Sequence, residues 1–188
     1  MFRSRQKRVN AANAAILQTS RLFSPLWGDA ELTESGDVRF SDLPGTLQGL
    51  TAIQTWQRQL LGGTMSVNLC LEREIQLTGS CSLRFRSGRF GCKGNCQIGQ
   101  HLIDRLHADT ILMATLRDLD LGGLTITLTG GKVTVMLTPY GGGLAFLGMP
   151  PLQYPVAFPR DQIKTTARAL ERIERIISSH SAGKNVTH

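Results

Sequence analysis

The segment GLTITLTGGKVTVMLTP, residues 123–139, constrains the fold more than any other part of the chain. Leucine, isoleucine and valine alternate with threonine on both sides of Gly130-Gly131, and a glycine pair favours a tight two-residue turn. Alternation with a period of two places the aliphatic side chains on one face of a hairpin and most threonines on the other. The segment therefore predicts an antiparallel sheet whose apolar face is covered by other elements.

The remaining elements follow from the same periodicity arguments. Alternation of apolar and polar residues predicts strands within residues 31–40, 65–71, 74–78, 81–90 and 144–158. Pro155 limits the last of these strands to an edge of the sheet. Apolar residues at helical spacing predict helices over residues 8–23, 50–61, 97–117 and 160–177, with a break near Asp109. Together these elements predict an α+β fold with a largely antiparallel sheet of about seven to nine strands in hairpins and helices mainly on one face.

The chain is interpreted as a single domain over residues 1–178. Its 188 residues, of which 41% are hydrophobic, suffice for one core. We expect residues 1–7 to form a flexible basic start and residues 179–188 a disordered tail. Residues 50–117 and 97–177 are each interpreted as a helix, several strands and a helix, which suggests an internal α/β repeat. No apolar run approaches the ~20 residues that a membrane-spanning helix needs.

The positive charge of the chain is concentrated in three segments. The net charge is +7, and the excess of Lys and Arg lies in residues 1–28, 76–103 and 160–188, while residues 29–75 are acidic. Such basic segments attract phosphate, acidic proteins or anionic lipid. The acid-free, arginine-bearing N-terminus also resembles a mitochondrial transit peptide.

Two basic clusters are candidate sites for an anionic partner. In the predicted hairpin 81–90, alternation turns Cys81, Leu83 and Phe85 to one face and the arginines to the other. In the C-terminal helix, four cations at helical spacing form a row of like charges, which costs stability unless a partner compensates it. The candidate binding residues are Arg84, Arg86, Arg89 and Lys93 in the hairpin segment and Lys164, Arg168, Arg172 and Arg175 in the helix.

The stretch CKGNCQIGQH, residues 92–101, raises the question of a metal site. Cys92, Cys96, His101 and His107 have the spacing C-x3-C-x4-H-x5-H, which resembles a retroviral zinc knuckle but differs in two gaps and in the last ligand. A helix through this region turns the two histidines away from each other, so we expect no metal and no cofactor. Asn95 is then the N-cap of the helix. The absence of a secretory signal and the low cysteine content indicate reduced thiols and a cytoplasmic location.

The sequence carries none of the familiar catalytic motifs, such as G-x-S-x-G or H-E-x-x-H. We therefore interpret the chain as a soluble, non-enzymatic binding or adaptor domain. Its expected partner is an anionic macromolecule, which is a nucleic acid, an acidic protein or an anionic membrane surface. The alternatives are a domain that holds a small apolar ligand between sheet and helices, and an enzyme that depends on cysteine or histidine.

Overall fold

The chain forms five α-helices and ten strands in the computed structural model, which describes residues 2–60, 62–75, 79–93, 97–147 and 152–182. The helices are α1 (Phe2–Arg21), α2 (Ser24–Trp27), α3 (Gln97–Ala108), α4 (Thr110–Asp118) and α5 (Ile163–Ala182). The strands are β1 (Ala30–Leu32), β2 (Val38–Phe40), β3 (Leu50–Gln59), β4 (Gly62–Glu74), β5 (Ser80–Arg86), β6 (Arg89–Lys93), β7 (Leu121–Thr129), β8 (Lys132–Pro139), β9 (Leu144–Leu147) and β10 (Leu152–Pro155). Single turns of 3-10 helix cover Gly45–Leu47 and Arg160–Gln162.

All ten strands belong to one antiparallel sheet, in which β4 is the longest strand. The order is β1-β2-β3-β4-β8-β7-β5-β6. One side of β4 pairs with β3, and the other side pairs with β8 along its second half and with β9 at its start. β10 pairs with β9 alone, which agrees with the edge position predicted from Pro155. The predicted α+β fold is confirmed, with one strand more than the expected range.

The helices cover the aliphatic face of the sheet. The register places Leu69 beside Leu137, Leu137 beside Leu124, and Ile126 beside Leu83, so these side chains share one face. They are buried in one hydrophobic core with the apolar residues of α1, α3, α4 and α5. The alternation in residues 123–139 is thus explained, since the helices bury one face of this hairpin.

The other face of the sheet carries mostly polar side chains, and none of the described helices packs on it. Its hydroxyl and amide side chains include Thr51, Thr55, Ser66, Asn68, Ser82, Thr125, Thr127, Thr134 and Thr138. Asn68 is buried and donates to Thr55 Oγ1 at 2.6 Å, and its own amide oxygen accepts from Thr138. We call this surface the open face.

The helix predicted over residues 50–61 is wrong, because these residues form β3. Ile53, Trp56 and Leu60 have helical spacing, but Trp56 and Leu60 are exposed and share no buried face. Leu50 and Ala52 instead alternate toward the core, paired with Leu71 and Leu69 of β4. The element order that suggested a repeat of residues 50–117 and 97–177 is therefore absent.

The two ends of the chain are more helical than predicted. α1 begins at Phe2, within the segment expected to be flexible. α5 continues to Ala182, into the segment expected to be disordered, and its last turns are held by side chains. Ser178 Oγ donates to Glu174 Oε1 at 2.5 Å, and Arg105 donates to Ser179 Oγ at 2.6 Å. Residues 183–188 of the predicted tail lie outside the described residues.

Candidate anion-binding site

The hairpin of β5 and β6 is a tight and well-defined structure. Its turn consists of Ser87 and Gly88, with φ values of 49° and 76°. Positive φ at both central residues is the geometry of a type I′ turn, which matches the twist of the flanking strands. Ser87 is the one non-glycine residue with positive φ in the described part of the chain, so the turn places a strict demand on the backbone.

Four cations surround a glycine on the open face of this hairpin. Gly91 of β6 lies opposite Arg84 of β5, and Arg89 lies opposite Arg86 nearer the turn. Lys93 follows two residues after Gly91 and faces the same side. A Cβ atom on Gly91 would meet no atom within 4 Å, so the space above the glycine is free. Together the four cations frame an open depression of about 370 Å³.

The cations of the hairpin have no acidic partner within the described ranges. None of these four side chains forms an ion pair or a hydrogen bond with any of the residues that the structure describes. Arg86 and Arg89 form a directly opposed pair of like charges, which destabilises a hairpin in the absence of a ligand. Arg117 adds positive charge near the turn, since a Cβ atom on Gly88 would lie 3.3 Å from its Nε atom. The arrangement is suited to a partner with several negative charges.

The helices hold this hairpin in place from the opposite side. The rings of Phe85 and Phe90 face the core with centroids 5.1 Å apart. His107 of α3 accepts a hydrogen bond at Nε2 from the backbone N–H of Phe90 at 2.9 Å. In this contact Nε2 is the acceptor and the backbone N–H of Phe90 is the donor. These contacts hold β5 and β6 in place, and so they also determine where the cations of the two strands lie on the open face.

The predicted row on α5 lies on the opposite side of the sheet from these cations. Lys164, Arg168 and Arg175 are exposed on the helix. Arg172 instead binds the carboxylate of Asp109, with its terminal nitrogen 2.8 Å from Oδ1. α5 packs on the aliphatic face of the sheet, as the ion pair between Arg73 and Glu174 at 3.2 Å illustrates. The two basic clusters therefore do not form one continuous surface.

The candidate metal ligands are not brought together in the described part of the chain. Cys96 and the predicted N-cap Asn95 lie outside the described residues. Cys92 points under α3, where a Cβ atom on Gly99 would lie 3.0 Å from the Sγ atoms of both Cys92 and Cys81. His101 is exposed on α3, and His107 is engaged by Phe90. No group of three or more metal-ligating side chains occurs among residues that the structure places.

Two observations on the described residues concern the alternative functions, a cysteine- or histidine-dependent enzyme and a domain for a small apolar ligand. Burial raises the pKa of the Cys70 thiol, and the nearby Glu72 raises it further, so this cysteine is a poor nucleophile at neutral pH. A second surface depression, of about 530 Å³, lies near the ends of β4 and α5 and is open and lined mainly by polar residues. Neither depression found in the described ranges is an enclosed apolar cavity between sheet and helices.

A further surface was missed in the sequence because β3 was interpreted as a helix. Trp56, Leu60, Leu147, Leu152 and Tyr154 are all substantially exposed, in the β3–β4 and β9–β10 hairpins. The signal available in the sequence was Gly62-Gly63 after an apolar segment, because a glycine pair indicates a chain reversal as readily as the end of a helix. Among the helices described, none is long and apolar enough to cross a membrane.

Comparison with known proteins gives a family but no function. The model of one family, described as protein of unknown function (DUF3156), matches residues 21–177. This match extends from the last residue of α1 into α5 and includes every strand of the sheet. No curated protein and no solved structure matches the chain.

Proposed function

We propose that the chain, which belongs to the DUF3156 family of proteins of unknown function, binds an anionic membrane surface through the β5–β6 hairpin. The observation that carries the proposal is the group of four cations around Gly91, which have no acidic partner among the residues the structure describes. The depression is shallow and open, which suits an extended array of phosphate and carboxylate groups. The contact is peripheral and is made at the level of the lipid headgroups.

The orientation of the aromatic rings favours lipid over single-stranded nucleic acid. Proteins that bind single strands usually stack bases on exposed aromatic side chains beside the cations. In this hairpin Phe90 is buried, and Phe85 pairs with it in the register and faces the core.

The expected contribution of the hairpin is large enough to measure. Each Lys or Arg close to an anionic leaflet contributes about 1 kcal/mol, so four contribute about 4 kcal/mol, or about a thousandfold in partitioning. Because this attraction is electrostatic, it weakens within a Debye length of about 10 Å at moderate ionic strength and falls as salt is added. Hairpin-dependent binding should therefore be strongly salt-sensitive.

The test compares two triple variants that remove the same charge. R84Q/R86Q/R89Q neutralises the hairpin, and K164Q/R168Q/R175Q neutralises three exposed cations of α5 on the other side of the sheet. Binding is measured by co-sedimentation with vesicles of phosphatidylserine and phosphatidylcholine in equal parts, and with phosphatidylcholine alone. We expect the hairpin variant to lose about a hundredfold in partitioning to the anionic vesicles, and the α5 variant to lose much less.

Two outcomes would overturn the proposal. Equal losses in both triple variants would show that net charge, and not the hairpin, drives binding. Tighter hairpin-dependent binding to a mixed-sequence oligonucleotide than to vesicles would replace the membrane by nucleic acid as the partner. Far-UV circular dichroism and the unfolding midpoint of each variant establish that the comparison concerns folded protein.

A further inference from the structure

The path of eight strands from β1 to β6 ends in two edges of opposite charge. β1 pairs only with β2, and β6 only with β5, so within the described ranges the outer side of each strand faces no other strand. Residues 29–40, which include β1, its turn and β2, contain four acids and one arginine, a net charge of −3. Residues 80–93, which form β5, its turn and β6, contain four cations and no acid, a net charge of +4. One edge of the sheet is therefore acidic and the other is basic.

The backbone of β1 presents hydrogen-bonding groups to a further strand. Thr33 N–H donates to the carbonyl oxygen of Asp37 at 2.8 Å, so this residue bonds toward the β2 side of the hairpin. In an antiparallel ladder, residues that bond to the neighbouring strand alternate with residues that point away from it. Ala30 and Leu32 therefore turn their N–H and C=O groups to the outer edge.

The backbone of β6 presents the matching groups at the opposite edge. Phe90 N–H points away from β5, since it donates to His107 of α3. The same alternation turns the N–H and C=O of Cys92 outward. At this edge the carbonyl oxygen of Phe90 and both groups of Cys92 are directed toward the position of a further strand.

The strand directions allow a second copy of the chain to continue the sheet. All seven pairings along the path from β1 to β6 are antiparallel, so β1 and β6 run in opposite directions. If a second copy lies beside the first in the same orientation, its β1 adds one more antiparallel strand next to β6. The helices of both copies then lie on the same side of the extended sheet.

Two acids of the β1 edge lie on the same face as the cations of the hairpin. The register joins Glu31 to Arg39, and Arg39 to Thr51 of the open face. Asp29 is two residues before Glu31 and therefore faces the same side. Both acids are exposed, and neither forms an ion pair with a residue that the structure places.

One register brings the outward backbone groups of both edges together. It places Phe90 of one copy opposite Leu32 of the next, and Cys92 opposite Ala30, so that outward groups meet outward groups. The remaining pair, Gly91 opposite Glu31, is then a pair without backbone hydrogen bonds.

The same register also matches the charges. Glu31 of the second copy lies opposite Gly91, where its carboxylate can enter the free space that the four cations frame. Asp29 of the second copy lies opposite Lys93. Opposite charges in directly facing positions stabilise a pair of strands, and like charges destabilise it.

We infer that copies of this chain associate head to tail, with β1 of one copy continuing the sheet at β6 of the next. Pairing of two β6 edges or of two β1 edges would bring like charges together, so the charge favours contact between unlike edges. Such a heterologous contact repeats from copy to copy. It uses the cations of the proposed membrane contact but does not depend on that function, and the two contacts compete for the hairpin.

The first experiment removes one edge at a time. D29N/E31Q neutralises the acidic edge, the hairpin variant of the vesicle test neutralises the basic edge, and E74Q/D161N removes two exposed acids elsewhere as the control. In sedimentation velocity at low ionic strength, we expect wild type and control to associate with rising concentration. Each edge variant should lose about tenfold or more in the association constant. An equimolar mixture of the two edge variants should regain association as a 1:1 dimer, because each variant keeps the edge that the other lacks.

The second experiment tests the register with a disulfide between copies. Cα atoms in an antiparallel pair without backbone hydrogen bonds are about 4.5 Å apart, which is within the range of a disulfide. A mixture of E31C and G91C in glutathione disulfide should therefore form a dimer that peptide mass spectrometry assigns to these two positions. E74C mixed with G91C is the control and should not form this link.

Three results would overturn the inference. One is a wild type that stays monomeric over the whole concentration range. Another is a mixture of the two edge variants that does not regain association, which would indicate contact between equal edges. The third is cross-linking of G91C that is as efficient with E74C as with E31C.

The vesicle assay separates this inference from the proposed function. D29N/E31Q keeps the basic hairpin, so loss of association with undiminished binding to anionic vesicles supports the head-to-tail contact. Wild-type association without any vesicle binding would overturn the proposed function and leave this inference intact. Far-UV circular dichroism and unfolding midpoints establish that every variant compared is folded.

Discussion

Asp109 connects α3, α4 and α5 through one carboxylate. It is the N-cap of α4, and its Oδ1 atom accepts from the backbone N–H of Leu112 at 2.9 Å. The same carboxylate accepts from Nε and a terminal nitrogen of Arg172 at 2.8 to 3.2 Å. Desolvation raises the pKa of Asp109, but the bonds from Arg172 and Leu112 outweigh it and the pKa is lowered overall. Asp109 therefore stabilises the fold in its charged form.

Substitution of Asp109 should separate capping from ion pairing. D109N keeps a good N-cap and loses the charge, whereas D109A loses both, so we expect losses of roughly 1 and roughly 2 kcal/mol. Because the folded pKa lies below the unfolded value, the stabilisation is complete above the unfolded pKa and is lost as pH falls through the folded pKa. Urea unfolding at several pH values should show the gap between wild type and D109N closing in acid. A gap that is constant with pH would contradict the ion-pair account.

At the scale of residues, the sequence predicted the arrangement within one hairpin but not pairing between distant elements. Alternation alone predicted that Arg84 and Arg86 lie on the other face of β5 from Cys81 and Leu83. Successive side chains of a strand point to opposite faces, so the face of one residue determines the face of all the others. Arg172 was predicted to belong to the basic row of α5. Its partner Asp109 is 63 positions away, and only the packing of α4 against α5 brings them together.

At the scale of elements, β3 shows how tertiary contacts decide between helix and strand. Helical spacing of Ile53, Trp56 and Leu60 competed with alternation of Leu50 and Ala52. These residues form a strand and not a helix because β3 lies between β2 and β4 and pairs with β4 along all ten of its residues. Helices α1, α3 and α5 were predictable because their apolar stripes are long and regular.

Close approach of backbones around Gly62 fixes the position of the β9–β10 hairpin. A Cβ atom on Gly62 would lie 2.2 Å from the carbonyl oxygen of Phe146. We expect G62A to destabilise the protein by about 2 to 3 kcal/mol, because backbone atoms must move to admit the methyl group. Guanidinium unfolding gives the loss, and hydrogen exchange of residues 144–147 should be selectively faster.

Gly91 provides the control for this substitution. It also lies in a strand, but a Cβ atom there would meet nothing within 4 Å. G91A should change stability by less than about 1 kcal/mol, since alanine only reduces the freedom of the unfolded chain. Similar losses in G62A and G91A would mean that glycine is not required by the β4–β9 contact.

At the scale of the molecule, the apolar face of the sheet determines where the helices pack, and therefore on which side of the sheet each group of cations lies. Helices occupy one side, so their cations and those of the open face are separated by the thickness of the sheet. Net charge of +7 and the three basic segments are sequence properties, but their distribution between two sides depends on the register and on helix placement. Sequence patterns therefore predicted which cations are candidates for binding, but they did not determine which of these cations share a surface.

The continuity of the core predicts a single unfolding transition. Ile16 of α1 and Ile173 of α5 are both fully buried in the same cluster, which also contains Trp27. I173A should cost about 2 to 5 kcal/mol and should shift the Trp27 fluorescence midpoint and the far-UV circular dichroism midpoint by the same amount. W56F serves as the background, so that fluorescence reports on Trp27 alone. Midpoints that separate in I173A would contradict a single cooperative domain, because they would show that α5 unfolds independently of the residues around Trp27.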